Sequence, residues 1–188
     1  MDIRRKLKII VLLSFFFLIC CGCEQPAESP KTNQEEYPLD DSLSAIITIK
    51  EASGITQNGN NPFSLFDTKG KIIAQGTFIT SEEYNNAVSL LESQNGKDGL
   101  SILKQDFQSG IGNYTYYQYD SSQDSTRADS ANHFIEYDYI AMIANTNYGV
   151  MLGGIDNKQD MESVFNALDI KIQSNSDEST FVEQNGKD

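Results

Sequence analysis

Three ionisable side chains in the second half of the chain, His133, Glu136 and Asp138, are close enough in sequence to share a site. On an extended strand, Glu136 and Asp138 point to the same face, with Cα atoms ~6.5–7 Å apart. Such a pair could act as acid and base or bind a cation, and the histidine could assist a hydrolase. We expect instead that Glu136 and Asp138 are charged residues on an exposed strand face. No serine stands in a G-x-S-x-G motif that would supply the nucleophile of a hydrolase.

Tyrosines are the other side chains that could form a site, here by stacking on a ligand. Most of them lie in the second half of the chain: Tyr114, Tyr116, Tyr117, Tyr119, Tyr137, Tyr139 and Tyr148. Rings that line a concave sheet face can hold a sugar, a peptide or an apolar ligand. Tyr116, Tyr137 and Tyr139 are the candidate binding residues, and packing within the sheet is the alternative.

Residue counts exclude several other kinds of site. The chain has one histidine, and its three cysteines are confined to Cys20–Cys23. The rest of the chain therefore has no cysteine for a zinc site, a nucleophile or a disulfide. Asp120, Asp124 and Asp129 lack the spacing of an EF-hand calcium loop, so a solvated loop is expected there. No metal site and no cofactor are predicted.

The first 23 residues have a composition of their own. Basic residues between Arg4 and Lys8 precede an apolar run, Ile9–Ile19, which is broken only by Ser14. A basic start followed by a short apolar core is the layout of a secretory signal peptide. The run is shorter than the ~20 residues that a transmembrane helix needs, and an uncleaved anchor helix is the alternative.

This segment resembles the signal peptide of bacterial lipoproteins, in which a small residue precedes a cysteine that receives a diacylglyceryl thioether. Gly22-Cys23 fits that junction best, although Cys20 stands where the family usually has leucine. Cutting before Cys21 would put Leu18 at that place. The resemblance implies that residues 1–22 are removed and that lipid on Cys23, or alternatively on Cys21, anchors an outward-facing protein in the cell membrane.

The charge of the chain limits its partners. Lysine and arginine total 14 and aspartate and glutamate total 27, so the net charge is −13. Removal of residues 1–22 leaves ten basic and 26 acidic residues, a net charge of −16. A surface this acidic lacks the basic footprint that nucleic-acid binding needs. It also argues against adsorption of the protein surface to an anionic bilayer.

Two amphipathic helices are predicted. The first begins at a capping box, Thr80–Glu83, and ends before Asn95. Its apolar side chains recur at i, i+3, i+4 and i+7: Tyr84, Ala87, Val88 and Leu91. The second begins at Asp156 or Asn157 and repeats this spacing: Met161, Val164, Phe165 and Leu168. Each helix therefore has one face that can pack on a core.

About six strands, mainly in hairpins, are predicted from β-branched and alternating segments. They cover residues 45–49, 63–67, 71–80, 114–119, 134–144 and 150–155. Residues 100–107 fit either a helical turn or a strand, residues 51–61 fit a loop, and residues 170–172 fit a short final strand. The sequence thus predicts an α+β domain, mainly an antiparallel sheet packed with two helices.

The domain boundaries follow from composition. Residues 23–43 hold the anchoring cysteine and a polar linker with three prolines, residues 44–173 form one globular domain, and residues 174–188 are a disordered tail. The order of strands, a helix, a long hairpin and a closing helix resembles the PsbP/Mog1-type sandwich. That resemblance implies a binding or assembly scaffold rather than one enzyme class.

The expected function is therefore a lipid-anchored, extracytoplasmic, non-enzymatic domain that binds a small ligand or an envelope protein. An assembly or structural factor of the envelope is the first alternative. A cell-surface hydrolase built on His133, Glu136 and Asp138 is the second.

Overall fold

The computed structural model describes residues 33–58, 62–126, 133–155 and 158–175. Its elements in chain order are β1 (Gln34–Pro38), β2 (Leu43–Ile49), β3 (Thr56–Gln57), β4 (Phe63–Phe66), β5 (Ile72–Thr80), α1 (Ser81–Gln94), β6 (Leu100–Gln108), β7 (Asn113–Asp120), β8 (Ile135–Met142), β9 (Tyr148–Ile155), α2 (Lys158–Ala167) and β10 (Leu168–Ser174). Short 3-10 helices cover Glu51–Ser53 and Ser121–Gln123. The predicted α+β class is confirmed, but the prediction of about six strands was too low.

The strands form two antiparallel sheets. The large sheet has seven strands in the order β3-β4-β5-β9-β8-β7-β6, and the small sheet has the order β1-β2-β10. Antiparallel neighbours such as β8 and β9 are joined by a tight turn, in which Asn145 adopts a left-handed backbone conformation with φ 61°. Asparagine tolerates that conformation better than most residues do, which suits this turn. The predicted hairpin at residues 145–149 is confirmed.

The capping box predicted at the start of α1 is present. The Glu83 amide donates to Thr80 Oγ1 at 3.3 Å, and the Thr80 amide donates to a Glu83 carboxylate oxygen at 2.8 Å. These two bonds satisfy amide groups that would otherwise lack a partner at the helix start. Ala87 and Leu91 are buried against the large sheet, next to Tyr117 and its neighbours. The predicted apolar face of this helix is therefore confirmed.

The main core lies on the other face of the large sheet. It joins side chains from three sources: Ile47 and Ile49 of β2, Leu65, Tyr139 and Leu152 of the large sheet, and Met161, Val164 and Phe165 of α2. Alternation along β8 explains the division, because Tyr139 belongs to this core while Ile140 packs with α1. The large sheet is thus covered by α1 on one face and by α2 with the small sheet on the other.

The folded body begins earlier than predicted. Residues 34–38 belong to the predicted linker but form β1, which pairs along its whole length with β2. The reason is Tyr37, which is fully buried and donates a hydrogen bond to the side-chain oxygen of Gln57 at 3.0 Å. Pro38 is tolerated because β1 is an edge strand, where a missing amide donor costs little.

Two further strands differ from the prediction: β3 was not predicted, and β6 lies in a segment that fitted either a helical turn or a strand. β3 lies in the predicted loop at residues 51–61. Its Gln57 is completely buried, and the cost of burying the side-chain amide is offset by the hydrogen bond that it donates to the Ile47 carbonyl at 2.9 Å. β6, in the ambiguous segment, is a strand at the edge of the large sheet. Its pairing with β7 shifts register twice, and Asp106 has a φ of 55°. Such irregularity makes an edge a poor template for further pairing.

The predicted signal segment and lipid anchor, residues 1–23, lie outside the described residues, as do residues 176–188 of the predicted tail and the predicted start of the second helix at Asp156 or Asn157. Among the residues that the structure describes, no helix is both long enough and apolar enough to span a membrane.

Candidate functional site

His133 differs from Glu136 and Asp138 in its exposure to solvent. His133 is exposed, whereas Glu136 and Asp138 are only 7% and 6% exposed. The expectation that this end of the strand face is exposed was wrong. Asp138 is buried because it lies opposite the buried Tyr117 of β7 and against Gly153 of β9, on the face of β8 where Ile140 packs with α1.

Asp138 occupies a pocket made by an irregularity in β9. The register between β8 and β9 shifts next to Tyr139, and there the Gly154 amide donates to Asp138 Oδ1 at 3.2 Å. A Cβ atom at Gly153 would lie 1.9 Å from the same oxygen, so only glycine leaves room for the carboxyl group. The bulge and the missing side chain together create the space that Asp138 fills.

Burial is the main electrostatic influence on Asp138. Loss of solvent raises the pKa of its carboxyl group well above the usual range, and the negative charge of Glu136 raises it further, while the Gly154 amide lowers it. Across the strand pair, the buried Tyr117 lies opposite Asp138, and its phenol pKa is likewise raised well above the usual value by burial. A carboxyl group held neutral can donate a hydrogen bond or a proton, which an ionised carboxylate cannot do.

The parts of the chain that are described hold no group of three or more histidine, cysteine, aspartate or glutamate side chains that could bind a metal ion. In the loop after β7, Asp124 accepts hydrogen bonds from the Tyr119 hydroxyl and from the Thr126 amide. Asp120 accepts from the Ser122 amide at 2.9 Å. Both aspartates therefore stabilise local backbone structure, and Asp129 lies outside the described residues.

The candidate tyrosines form a stack rather than an open surface. Tyr116 and Tyr139 stack with ring centroids 4.4 Å apart, and Tyr139 stacks on Phe165 of α2 at 4.0 Å. Tyr116 is fully buried and Tyr139 is 2% exposed, while Tyr137 is half-buried at a centroid distance of 6.2 Å from Tyr116. These rings hold α2 on the sheet, and their role in binding a ligand stays a prediction.

The Tyr116 hydroxyl is buried without a hydrogen-bond partner among the described residues. Burial and the nearby charge of Glu162 raise the pKa of Tyr116 far above its ordinary value, so the phenol stays neutral. Glu162 of α2 pairs with Lys104 of β6 at 3.3 Å, at the same face of the sheet. The ion pair thus lies close to the Tyr116 hydroxyl group, which is itself shielded from solvent.

The structure contains an open cleft that the sequence did not indicate, with a volume of about 640 Å³. It lies between the 3-10 helix after β2, the β4–β5 turn, the start of β8 and α2. Its apolar lining comprises Ile55, Ile72, Ile73, Phe134, Ile135 and Val164. Ile72 and Ile135 are exposed by 41% and 38%.

The polar lining of the cleft carries both signs of charge. It comprises the charged residues Asp67, Lys71 and Glu136 and the hydroxyl residues Ser53, Thr68 and Ser163. Asp67 is fixed by the β4–β5 turn, where its Oδ1 accepts hydrogen bonds from the amides of Lys69 and Lys71 at 2.8 and 2.9 Å. The hydrogen bond from the Lys71 amide is the main reason why the pKa of Asp67 is lowered, and the positive charge of Lys71 lowers that pKa further. The cleft therefore offers apolar contact together with fixed charges.

One feature of the sequence is related to the cleft: two of its apolar lining residues begin strands. Ile72 and Ile135 each stand at the first residue of a strand, at the end of the sheet where β9 finishes. An apolar residue at such a position has fewer neighbours to cover it than one in the middle of the strand. Its exposure still depends on which strands flank it, and strand order is not visible in a single sequence.

Comparisons with protein-family models, with curated proteins and with solved structures found no match to this chain.

Proposed function

We propose that this chain is a lipid-anchored, extracytoplasmic protein whose α+β domain binds a small ligand in the cleft. The observation that carries the binding half of the proposal is the cleft itself. Its volume of about 640 Å³ and its mixture of apolar walls with a few charged and hydroxyl groups are typical of small-molecule sites. Binding, rather than catalysis, is favoured because His133 is exposed while Glu136 and Asp138 are buried.

The anchoring half of the proposal is supported by the Gly22-Cys23 junction after the short apolar run. β1 begins at Gln34, so only residues 24–33 separate a lipid on Cys23 from the folded body. Ten residues reach at most ~33–36 Å when fully extended. The domain would therefore work close to the membrane surface, where its cleft meets ligands in the envelope.

Mass spectrometry of the mature protein tests the anchor. We expect an N-terminal Cys23 that carries a diacylglyceryl group, and we expect Cys23→Ser to abolish the modification. Cys21→Ser is the matched control and should leave the modification in place. An unmodified terminus, or a lipid that persists in Cys23→Ser and disappears in Cys21→Ser, would contradict the assignment to Cys23.

Saturation-transfer NMR tests the cleft. The full mature chain in phosphatidylcholine nanodiscs would be exposed to water-soluble fragments of four kinds: amines, acids, alcohols and amides. We expect at least one kind to bind, and Ile72→Gln to reduce that binding because the substitution removes part of the apolar wall. Leu103→Gln is the control, since Leu103 is similarly exposed at 37% but lies on β6 outside the cleft. No binding by any kind, or equal loss in both variants, would contradict the proposal.

A role in envelope assembly is the second candidate, and one observation favours it. Leu103 and Phe107, exposed by 37% and 52%, both lie on the edge strand β6, and neither lines the cleft. Exposed apolar side chains on a sheet edge can contact a partner protein. Cross-linking of Phe107→Cys to an envelope protein, with loss of that cross-link in Leu103→Gln, would favour assembly over ligand binding.

We also propose that the body is a sandwich of the PsbP/Mog1 type. Support comes from the element order and from the seven-stranded antiparallel sheet that carries α1 on one face and α2 on the other. A crystal structure whose large sheet has a different strand order from that fold would contradict this assignment.

A further inference from the structure

We propose that the ligand of the cleft is an acyl chain of a phospholipid, taken from the membrane to which the protein is anchored. This inference rests on the proposed function and names the chemical class of the ligand. It is carried by three observations: the place where the tether joins the folded body, the exposed apolar side chains of the cleft and the arrangement of the charges around it.

The tether joins the folded body close to the cleft. The Ile49 amide donates a hydrogen bond to the Asn33 carbonyl at 2.7 Å, so the first described residue lies beside the end of β2. Ser53, which lines the cleft, follows Ile49 by four residues, a span of at most ~13–14 Å. The tether therefore enters the body at the end of β2 that leads directly into the cleft.

The helix α2 connects the same point to another wall of the cleft. The Lys50 amide donates to the Ala167 carbonyl at 3.0 Å, and Val164, which lines the cleft, lies less than one helical turn before Ala167. Residues 24–33 reach at most ~33–36 Å when fully extended. A lipid on Cys23 would therefore hold this end of the body, with its cleft, next to the membrane surface.

The walls of the cleft fit a hydrocarbon chain. Four large apolar side chains are exposed among the residues that the structure describes, and two of them, Ile72 and Ile135, line this cleft. Alternation along β8 puts Ile135 on the same face of the sheet as Tyr139, which is the face that α2 covers. An acyl chain in the cleft would remove these side chains from water, which is favourable in proportion to the area covered.

The charges around the cleft also fit a phospholipid. Asp67 and Lys71 of the β4–β5 turn line the cleft with opposite charges, whereas alternation with Ile140 turns the Glu136 side chain toward α1. The charged side chains that face the cleft therefore cancel, which suits an uncharged chain between its walls. Lys71 is exposed, so its ammonium group can bind the phosphate of a head group that stays in water.

Photo-cross-linking tests whether a lipid chain enters the cleft. The full mature chain would be placed in phosphatidylcholine nanodiscs with a small fraction of phosphatidylcholine that carries a diazirine at the end of one acyl chain. In the bilayer that diazirine lies about 15 Å below the surface of the ~30 Å hydrocarbon layer. We expect cross-links, mapped by mass spectrometry, on the peptides that contain Ile72 and Ile135. The protein's own lipid carries no diazirine, so these cross-links report bilayer lipid alone.

Substitutions in the walls test whether the cross-links depend on the cleft. Ile72→Gln and Ile135→Gln should each reduce the chain-end cross-link at least about fourfold, the effect of one methylene that loses its apolar contact. Leu103→Gln is the control, because Leu103 is similarly exposed at 37% and does not line the cleft. A second lipid, with the diazirine on its head group, reports proximity to the membrane and should label all three variants equally.

Fluorescence quenching by lipids with a nitroxide head group tests the orientation of the body without any ligand. Cys23 is the one cysteine that remains when residues 1–22 are removed, so a single new cysteine can be labelled once Cys23 carries lipid. We expect stronger quenching of a dye at Lys69→Cys, in the exposed β4–β5 turn, than at Asp41→Cys. Asp41 lies in the β1–β2 connection, at the end of β1 opposite the tether. Equal quenching, or stronger quenching at Asp41→Cys, would overturn the inference.

The outcomes separate this inference from the proposed function. If soluble fragments bind and Ile72→Gln weakens them, but the chain-end diazirine does not label the cleft, the cleft is a binding site and its assignment to lipid is overturned. Labelling that is unchanged in Ile72→Gln and Ile135→Gln would also overturn it. A fragment that binds in the cleft should reduce the chain-end cross-link by competition, and binding without such a reduction would place the lipid elsewhere and overturn the inference.

Discussion

Replacement of Asp138 by asparagine should stabilise the protein at neutral and alkaline pH. Asparagine keeps the oxygen that accepts the hydrogen bond from Gly154, and its amide group replaces the O–H of the neutral acid. The substitution therefore preserves shape and hydrogen bonding while it removes the only part of Asp138 that burial penalises, its negative charge. The effect is expected to be absent at acidic pH, where the wild-type carboxyl group is already protonated.

The size of the effect follows from linkage between protonation and folding. The folded-state pKa of Asp138 lies above the unfolded value of about 3.9, so the folded protein holds the proton more tightly. Stability is therefore greatest below about pH 3.9 and decreases as the pH rises toward the folded pKa. In that window the free energy of unfolding falls by up to about 1.4 kcal/mol for each pH unit. Asp138→Asn should lack this slope.

Urea unfolding followed by far-UV circular dichroism, from about pH 5 to about pH 8, measures how the free energy of unfolding changes with pH in the wild type and in Asp138→Asn. The expected result is a variant whose stability declines less steeply than that of the wild type and exceeds it at the upper end. Asp41→Asn, at an exposed position in the β1–β2 connection, is the control and should follow the wild type. Parallel curves with Asp138→Asn below the wild type throughout would refute the argument, because they would mean that the carboxylate is ionised and stabilising in the folded protein.

Two other substitutions test local features of the fold. Asp40→Asn should be less stable than the wild type at neutral pH, because hydrogen bonds from Tyr148 and Ser42 lower the Asp40 pKa to about 2. That difference should shrink in urea unfolding as the pH falls from about 4 toward 2, and a difference that is constant with pH would contradict it. Thr80→Ala should cost about 1 kcal/mol of unfolding free energy by removing the helix cap, whereas Thr80→Ser should restore most of it. Equal stability of these two variants would show that the cap contributes nothing.

The parts of the fold that could be predicted are those encoded by local patterns. The α1 helix follows from the capping box at Thr80 and the spacing of Ala87 and Leu91, which need no knowledge of the rest of the chain. The β8–β9 hairpin likewise follows from two alternating segments around a turn. Such features depend on residues within a few positions of one another, and they were confirmed.

The parts that could not be predicted depend on contacts between distant segments. β1 looks like a polar linker, and what makes it a strand is its pairing with β2 together with the burial of Tyr37 against Gln57, twenty residues later. Glu136 and Asp138 look exposed because they are charged, yet both are buried, and Asp138 fits only because Gly153, fifteen residues later, has no side chain. The cleft is formed by several segments that are distant in sequence, so no local pattern of residues predicts it.

The pairing of β10 with β2 constrains the order in which the molecule can assemble. Ile170 lies opposite Ile47, so the small sheet joins segments that are more than a hundred residues apart. Strands this far apart in sequence pair slowly, because closing the long loop between them costs conformational entropy before any stabilising contact forms. Until β10 arrives, one edge of β2 stays open, and Ile47 and Ile49 lack part of their cover. During synthesis from the N-terminus, this sheet can therefore be completed only after β10 has been made.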